Sequence, residues 1–151
     1  MSDKVIRLLS TFFYVGYCPI APGSLASFVA TLVCVLIHGL PFFQILFFVL
    51  VTYIGFQVSG PMEKLVKKED PSCVVIDEVA GIFLSFFLIP ITTATVFTTF
   101  FLFRAFDMFK IYPANKFEKL GGSKGIMMDD IVAGLYTNII MHMAVRLAGI
   151  I

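Results

Sequence analysis

The sequence predicts an all-α fold: a polytopic integral membrane helical bundle of about five spans plus an N-terminal interfacial helix, in one domain over residues 1–151. Three observations predict it. Hydrophobic residues make up 59% of the chain and charged residues 14%, with a mean hydropathy of +0.97, whereas a soluble domain has roughly 25% charged and 45–50% apolar residues. A chain of 151 residues cannot hide eighteen phenylalanines in one core, because small domains bury a small share of their surface. Asp, Glu, Lys and Arg are absent between residues 8 and 62 and again between 79 and 103. Turn signals then cut these gaps into lengths suited to helices, which must satisfy their own backbone in lipid.

At the N-terminus, Val5, Leu8, Leu9 and Phe12 recur at helical spacing while Asp3, Lys4, Arg7 and Thr11 mark the opposite face. This pattern suits a helix lying in the membrane interface. It does not suit a cleaved signal, since Tyr17-Cys18-Pro19 stands where small residues would be needed. The first gap breaks at His38-Gly39-Leu40-Pro41, giving spans over about residues 24–37 and 42–59. Gly60-Pro61 closes the apolar stretch, with residues 62–68 as a polar helical extension, and Asp70-Pro71-Ser72 turns the chain. A third span covers about residues 75–89 and stops at Pro90; a fourth covers 92–109; the last runs from about residue 130 to the C-terminus.

Lys64, Lys67 and Lys68 fall in one connection, and Lys110, Lys116, Lys119 and Lys124 in another, while the connections at 38–41 and 90–91 have no Lys or Arg. The positive-inside rule makes the charged connections cytoplasmic, together with the N-terminus. Eleven Lys and Arg against ten Asp and Glu leave no basic stripe, which excludes a nucleic-acid binder held by phosphate contacts. Cys18, Cys34 and Cys73 form no CxxC pair and read as reduced structural residues.

In this topology Asp77 and Glu78 enter the third span, Arg104, Asp107 and Lys110 leave the fourth, and Asp129 and Asp130 enter the last, all at one membrane surface. Ionisable residues at spans pair or serve function. Membrane-edge salt bridges account for any one pair, but the excess of carboxylates asks for a counter-ion. Every candidate ligand is a hard oxygen, which points to Mg²⁺ rather than zinc or copper; His38 falls on the other side, and His142, in mid-span, reads as a satisfied helix residue. Arg104, Asp107 and Lys110 are spaced by three and share one helical face. Asp107 can bridge its two basic neighbours, or it can sit on a metal while the cations take a phosphate. Asp129 and Asp130 diverge by about 100°, so one faces the centre while the other caps the helix. Gly121-Gly122-Ser123-Lys124-Gly125 offers backbone amides that can hold a phosphate, although the spacing is not that of a Walker loop. Ala21-Pro22-Gly23-Ser24 reads as a plain helix start.

These residues carry a resemblance over almost the whole chain. Three blocks define it: Ala21-Pro22-Gly23-Ser24 with Ser27; Asp77-Glu78-Val79-Ala80-Gly81; and Phe103-Arg104-Ala105-Phe106-Asp107 with Lys110, continuing through Gly121-Gly122-Ser123-Lys124-Gly125 to Asp129-Asp130 and Ala133-Gly134. The chain resembles phosphatidylglycerophosphatase A, a bacterial membrane phosphatase family. It departs from the family pattern at Ile111, where proline usually follows the lysine, and at Ala26, where glycine is usual; neither change removes a charge. The resemblance implies Mg²⁺-dependent hydrolysis of the terminal phosphomonoester of phosphatidylglycerophosphate to phosphatidylglycerol and phosphate, in phospholipid biosynthesis at the cytoplasmic face of a bacterial inner membrane. With it, Glu78, Asp107 and Asp130 become first choices for metal ligand or water base and Asp77 and Asp129 seconds. Arg104, Lys110, Lys124, Gly122 and Ser24 become phosphate-binding candidates. Two other readings stand beside it: a metal-dependent lipid headgroup transferase, which lacks a further acid after the Asp pair, and a small transporter subunit, which lacks a polar path through the spans.

Overall fold

A computed structural model describes residues 1–110, 112–117 and 120–149. Lys119 of the charged connection and the departure at Ile111 lie outside the described residues. The described chain is helical without strands. Its elements are α1 (Asp3–Ser10), a 3-10 turn (Val15–Tyr17), α2 (Pro22–Leu36), α3 (Pro41–Val66), α4 (Ile76–Ser85), α5 (Thr93–Phe109), the single turn α6 (Ala114–Phe117) and α7 (Gly122–Leu147).

Local chemistry sets most of the starts. Pro22 and Pro41 each occupy the first turn of a helix, where a missing N–H costs nothing. Thr92 and Thr95 cap α5 reciprocally, each hydroxyl accepting the other's backbone N–H at 3.1 and 2.8 Å. The second long helix continues past Gly60-Pro61 to Val66, the polar helical extension expected there, while two other boundaries differ from the sequence expectation. Pro61 has no N–H to donate, and the Gly60 N–H donates to Ser123 Oγ at 2.7 Å, so a side chain of α7 satisfies a backbone donor at the proline break. The third helix ends at Ser85, before a turn in which Leu88 adopts φ +57. The last begins at Gly122, after Gly121 at φ +64. Asp129 and Asp130 therefore lie two turns inside α7, and neither caps it.

α4 is the centre of the molecule. Val79, Ala80, Ile82 and Phe86 are fully buried beneath α2, α3 and α7. At its end, Asn138 Nδ2 donates to the carbonyls of Ser85 (3.3 Å) and Phe87 (2.8 Å), and His142 Nε2 donates to that of Phe87 (3.2 Å). These side chains satisfy carbonyls that a helix end leaves open, and they give His142 the structural role its position suggests.

Only α3, among the described residues, is both long and apolar enough to cross a membrane. Ten residues of α4 rise about 15 Å, half a hydrocarbon core, so helix lengths alone do not yield five full spans. Apolar side chains nevertheless face outward along several elements: Phe42 and Tyr53 on α3, Phe97 and Phe101 on α5, Met143 on α7. The helices alternate in direction. His38, Pro41, Leu88 and Pro90 share one cavity, which places the two uncharged connections together at one end. The starts of α2 and α4, the end of α5 and the first third of α7 meet at the other.

Candidate active site

At that second end lies a cavity of about 280 Å³. Six carboxyl side chains line it, from Asp70, Asp77, Glu78, Asp107, Asp129 and Asp130, with two cationic ones, from Arg104 and Lys110. Ala21, Pro22, Gly23 and Ser24 form another wall.

The acids divide into groups. Asp77, Glu78 and Asp130 bring one carboxylate oxygen each to within 4.8 Å of one another. Asp77 and Glu78 occupy the first turn of α4, and Asp77 Oδ1 accepts the Glu78 N–H at 3.1 Å. Glu78 Oε2 is buried with no hydrogen-bond partner among the described residues. Three acceptors facing one another around an orphaned oxygen form a donor set for a hard cation, and its all-oxygen chemistry fits Mg²⁺.

Arg104 binds a second group together. Its Nη1 donates to Asp107 Oδ2 at 2.5 Å and stands 3.8 Å from Glu78 Oε1. Lys110, at the left-handed C-cap of α5, donates from Nζ to Asp129 Oδ2 at 3.0 Å. Asp107 is thus paired with Arg104, while Lys110 reaches across to α7. Asp129 Oδ1 also accepts the Asp130 N–H at 3.0 Å. Asp129 therefore faces Lys110 and Asp130 faces Asp77 and Glu78, the divergence expected of adjacent helical residues.

Gly23 and Glu78 are mutually dependent. A Cβ at position 23 would fall on Glu78 Oε1, so only glycine lets the start of α2 close over that carboxylate. The first-turn amides of α2, which have no side-chain cap, border the cavity beside Arg104.

Ser24, Asp77, Glu78, Arg104, Asp107, Lys110, Asp129 and Asp130 all line the cavity. Gly122 and Lys124 do not. Gly122 starts α7 near Glu63, Lys124 is exposed, and Ser123 is engaged with Gly60. Sequence reasoning did not single out Asp70 or Gly23 for the site. Asp70 had a signal in its place just ahead of the acidic pair, and Gly23 had one in the Ala21-Pro22-Gly23-Ser24 block, although its contact with Glu78 is not readable there.

A family model described as phosphatidylglycerophosphatase A matches residues 8–145. The chain belongs to the phosphatidylglycerophosphatase A family. It is a phosphatase of the phosphoric-monoester class, which decides for hydrolysis over headgroup transfer or transport. Proteins named phosphatidylglycerophosphatase A from Haemophilus influenzae and Escherichia coli are each 32% identical to it, over 90% of this chain and 86% and 81% of theirs. A Bacteroides thetaiotaomicron protein with the provisional name phosphatidylinositol-3-phosphatase is 34% identical over 91% of both chains. No solved structure gives a significant match.

Proposed function

We propose that the protein hydrolyses the terminal phosphomonoester of phosphatidylglycerophosphate, with Mg²⁺, to phosphatidylglycerol and inorganic phosphate, as a step of phospholipid biosynthesis. The convergence of Asp77, Glu78 and Asp130 beside Arg104 in one cavity carries this reading. The outward apolar side chains of α3, α5 and α7 support a multi-pass bundle in a bacterial inner membrane. The Lys-bearing connections support placing the acid cavity at the cytoplasmic face.

Asp77, Glu78 and Asp130 would hold Mg²⁺, which when bound supplies Lewis-acid neutralisation of phosphoryl charge. Arg104, the α2 amides and the Ser24 hydroxyl receive phosphate oxygens. Pairing with Asp107 fixes the Arg104 guanidinium, so it enters the reaction already oriented. Asp107 accepts a proton from the attacking water. The new P–O bond forms as the bond to glycerol breaks, and the glycerol oxygen leaves with the proton that Asp107 took from the water. Lys110 and Asp129 hold the end of α5 against α7 and keep Arg104 and Asp130 in register.

The 34% identical relative favours a second substrate, a phosphoinositide carrying a 3-phosphate. The test is phosphate release by detergent-solubilised protein from phosphatidylglycerophosphate, phosphatidylinositol 3-phosphate and glycerol 3-phosphate, each with Mg²⁺ and with EDTA. Release from the first that needs Mg²⁺ supports the reading. Release from the second alone replaces the substrate, and release unaffected by EDTA rejects the metal.

A further inference from the structure

We propose that an apolar slot on the other side of α4 from the carboxylates holds an acyl chain of the lipid substrate. The inference rests on the phosphatase reading of the acid cavity and adds the site for the other half of the molecule. The slot measures about 250 Å³ and lies between α1, α2, α3 and α4. Its walls include Leu9, Phe12, Phe47, Ile54, Ile76 and Phe83, and no polar side chain lines it. An apolar groove of this kind, with Phe13, Phe47 and Leu50 exposed along it, favours hydrocarbon over water.

Three observations tie the slot to the site. Ile76 lines the slot and its chain neighbour Asp77 lines the acid cavity, so the first turn of α4 divides the two. Ile76 and Phe83, seven residues apart, share one face of α4, so the slot runs about 10 Å along the helix away from the carboxylates. A lipid with its phosphate against Arg104 reaches the slot by passing a chain around the first turn of α4. The third observation is backbone strain. Phe12, Phe13 and Tyr14 have φ of +46, +56 and +70, three successive non-glycine residues in the left-handed region. Such residues persist only where their surroundings hold them, and they cluster at ligand clamps. Thr11 holds this run, its hydroxyl donating to the Arg7 carbonyl at 2.7 Å and accepting the Tyr14 N–H at 3.1 Å. The outcome is that Phe12 and Phe13 meet edge to face beside the slot, with Phe13 64% exposed at its mouth.

The protein has no tryptophan, so an introduced one reports alone. Phe47→Trp places it in the slot, where Phe47 stacks on Phe83 at 5.8 Å; Phe97→Trp is the control on the outer face of α5. Both are titrated in detergent and EDTA with phosphatidylglycerophosphate bearing brominated acyl chains. Phe47→Trp is expected to quench saturably, with reversal by the unbrominated lipid and not by phosphatidylcholine. Phe97→Trp should follow only the mole fraction of brominated lipid. In a second arm, Ile54→Trp fills the slot and lowers the ratio of kcat/KM for long-chain over dihexanoyl substrate about tenfold. Equal quenching at both positions, reversal by phosphatidylcholine, or an unchanged chain-length ratio overturns the proposal, while wild-type turnover leaves the phosphatase reading standing. Saturable quenching from wild-type-like protein that releases no phosphate would reject the phosphatase reading and keep the slot as a lipid site.

Discussion

Gly134 of α7 packs directly on the backbone of Gly81 of α4: a methyl group at position 134 would fall on the Gly81 carbonyl. Each glycine lies four residues, one turn, beyond an acid of the Asp77–Glu78–Asp130 group, Gly81 after Asp77 and Gly134 after Asp130. The close approach of the two helices therefore sets the separation of those carboxylates. A Cβ at Gly81 would also meet the Phe103 ring and the Asp130 carbonyl. Gly134→Ala is expected to destabilise the fold by about 1–3 kcal/mol through overpacking. Displaced ligands should cost turnover about 100-fold, as misplacements near 1 Å do. Thermal unfolding in detergent and phosphate release measure the two effects. Full activity would mean that the glycine contact does not position the site.

Removing charge while keeping shape tests the ligand group directly. Glu78→Gln and Asp130→Asn should each lower phosphate release by about 10²–10³-fold, the scale of a lost electrostatic partner in an active site. Stability should hold or rise, because each change relieves repulsion among acids lining one cavity. Wild-type turnover in both variants, assayed across a range of Mg²⁺ concentrations, would remove these residues from the site.

Arg104 serves two acceptors with one nitrogen, Asp107 Oδ2 and Glu78 Oε1. Its Nε is buried without a partner among the described residues. Lysine keeps the charge but not the planar fork. Arg104→Lys is expected to lose at least about tenfold in kcat/KM, and Arg104→Gln more, with the soluble and lipid phosphomonoesters affected alike. A lysine variant equal to wild type would make the residue a simple counter-charge.

The helical class, the turns at 38–41 and near Asp70, and the meeting of three charged segments were legible because charge and hydropathy report position relative to lipid. The end of α4 and the start of α7 were not. The continuation of α3 past Pro61 was expected, but its support by Ser123, sixty-three residues from Gly60, was not. α4 is shorter than its apolar run because Asn138 and His142 of α7 satisfy the carbonyls of an early turn. Both causes are tertiary, and local pattern does not contain them. The same holds for Gly23 over Glu78. The charged residues that line the acid cavity, Asp70 aside, were legible from the gathering of charge at one membrane level, but their partition into Asp77–Glu78–Asp130, Arg104–Asp107 and Lys110–Asp129 depends on how α4, α5 and α7 cross.

The two lysines once grouped as phosphate ligands separate in the structure, and the separation can be tested. Lys110 Nζ holds Asp129 in the acid cavity, whereas Lys124 is exposed in the first turn of α7 and lines neither that cavity nor the slot beside α4. Lys110→Ala removes the cation opposite a carboxylate that is 9% exposed. Breaking such a pair leaves an uncompensated charge, so it is expected to cost both stability and at least about tenfold in turnover. Lys124→Ala should stay within about twofold of wild type in both, as surface changes away from special contacts do. Parallel phosphate-release and unfolding measurements on the two variants decide the matter. A loss at Lys124 equal to that at Lys110 would bring the glycine-rich start of α7 back as a phosphate loop that closes on the substrate.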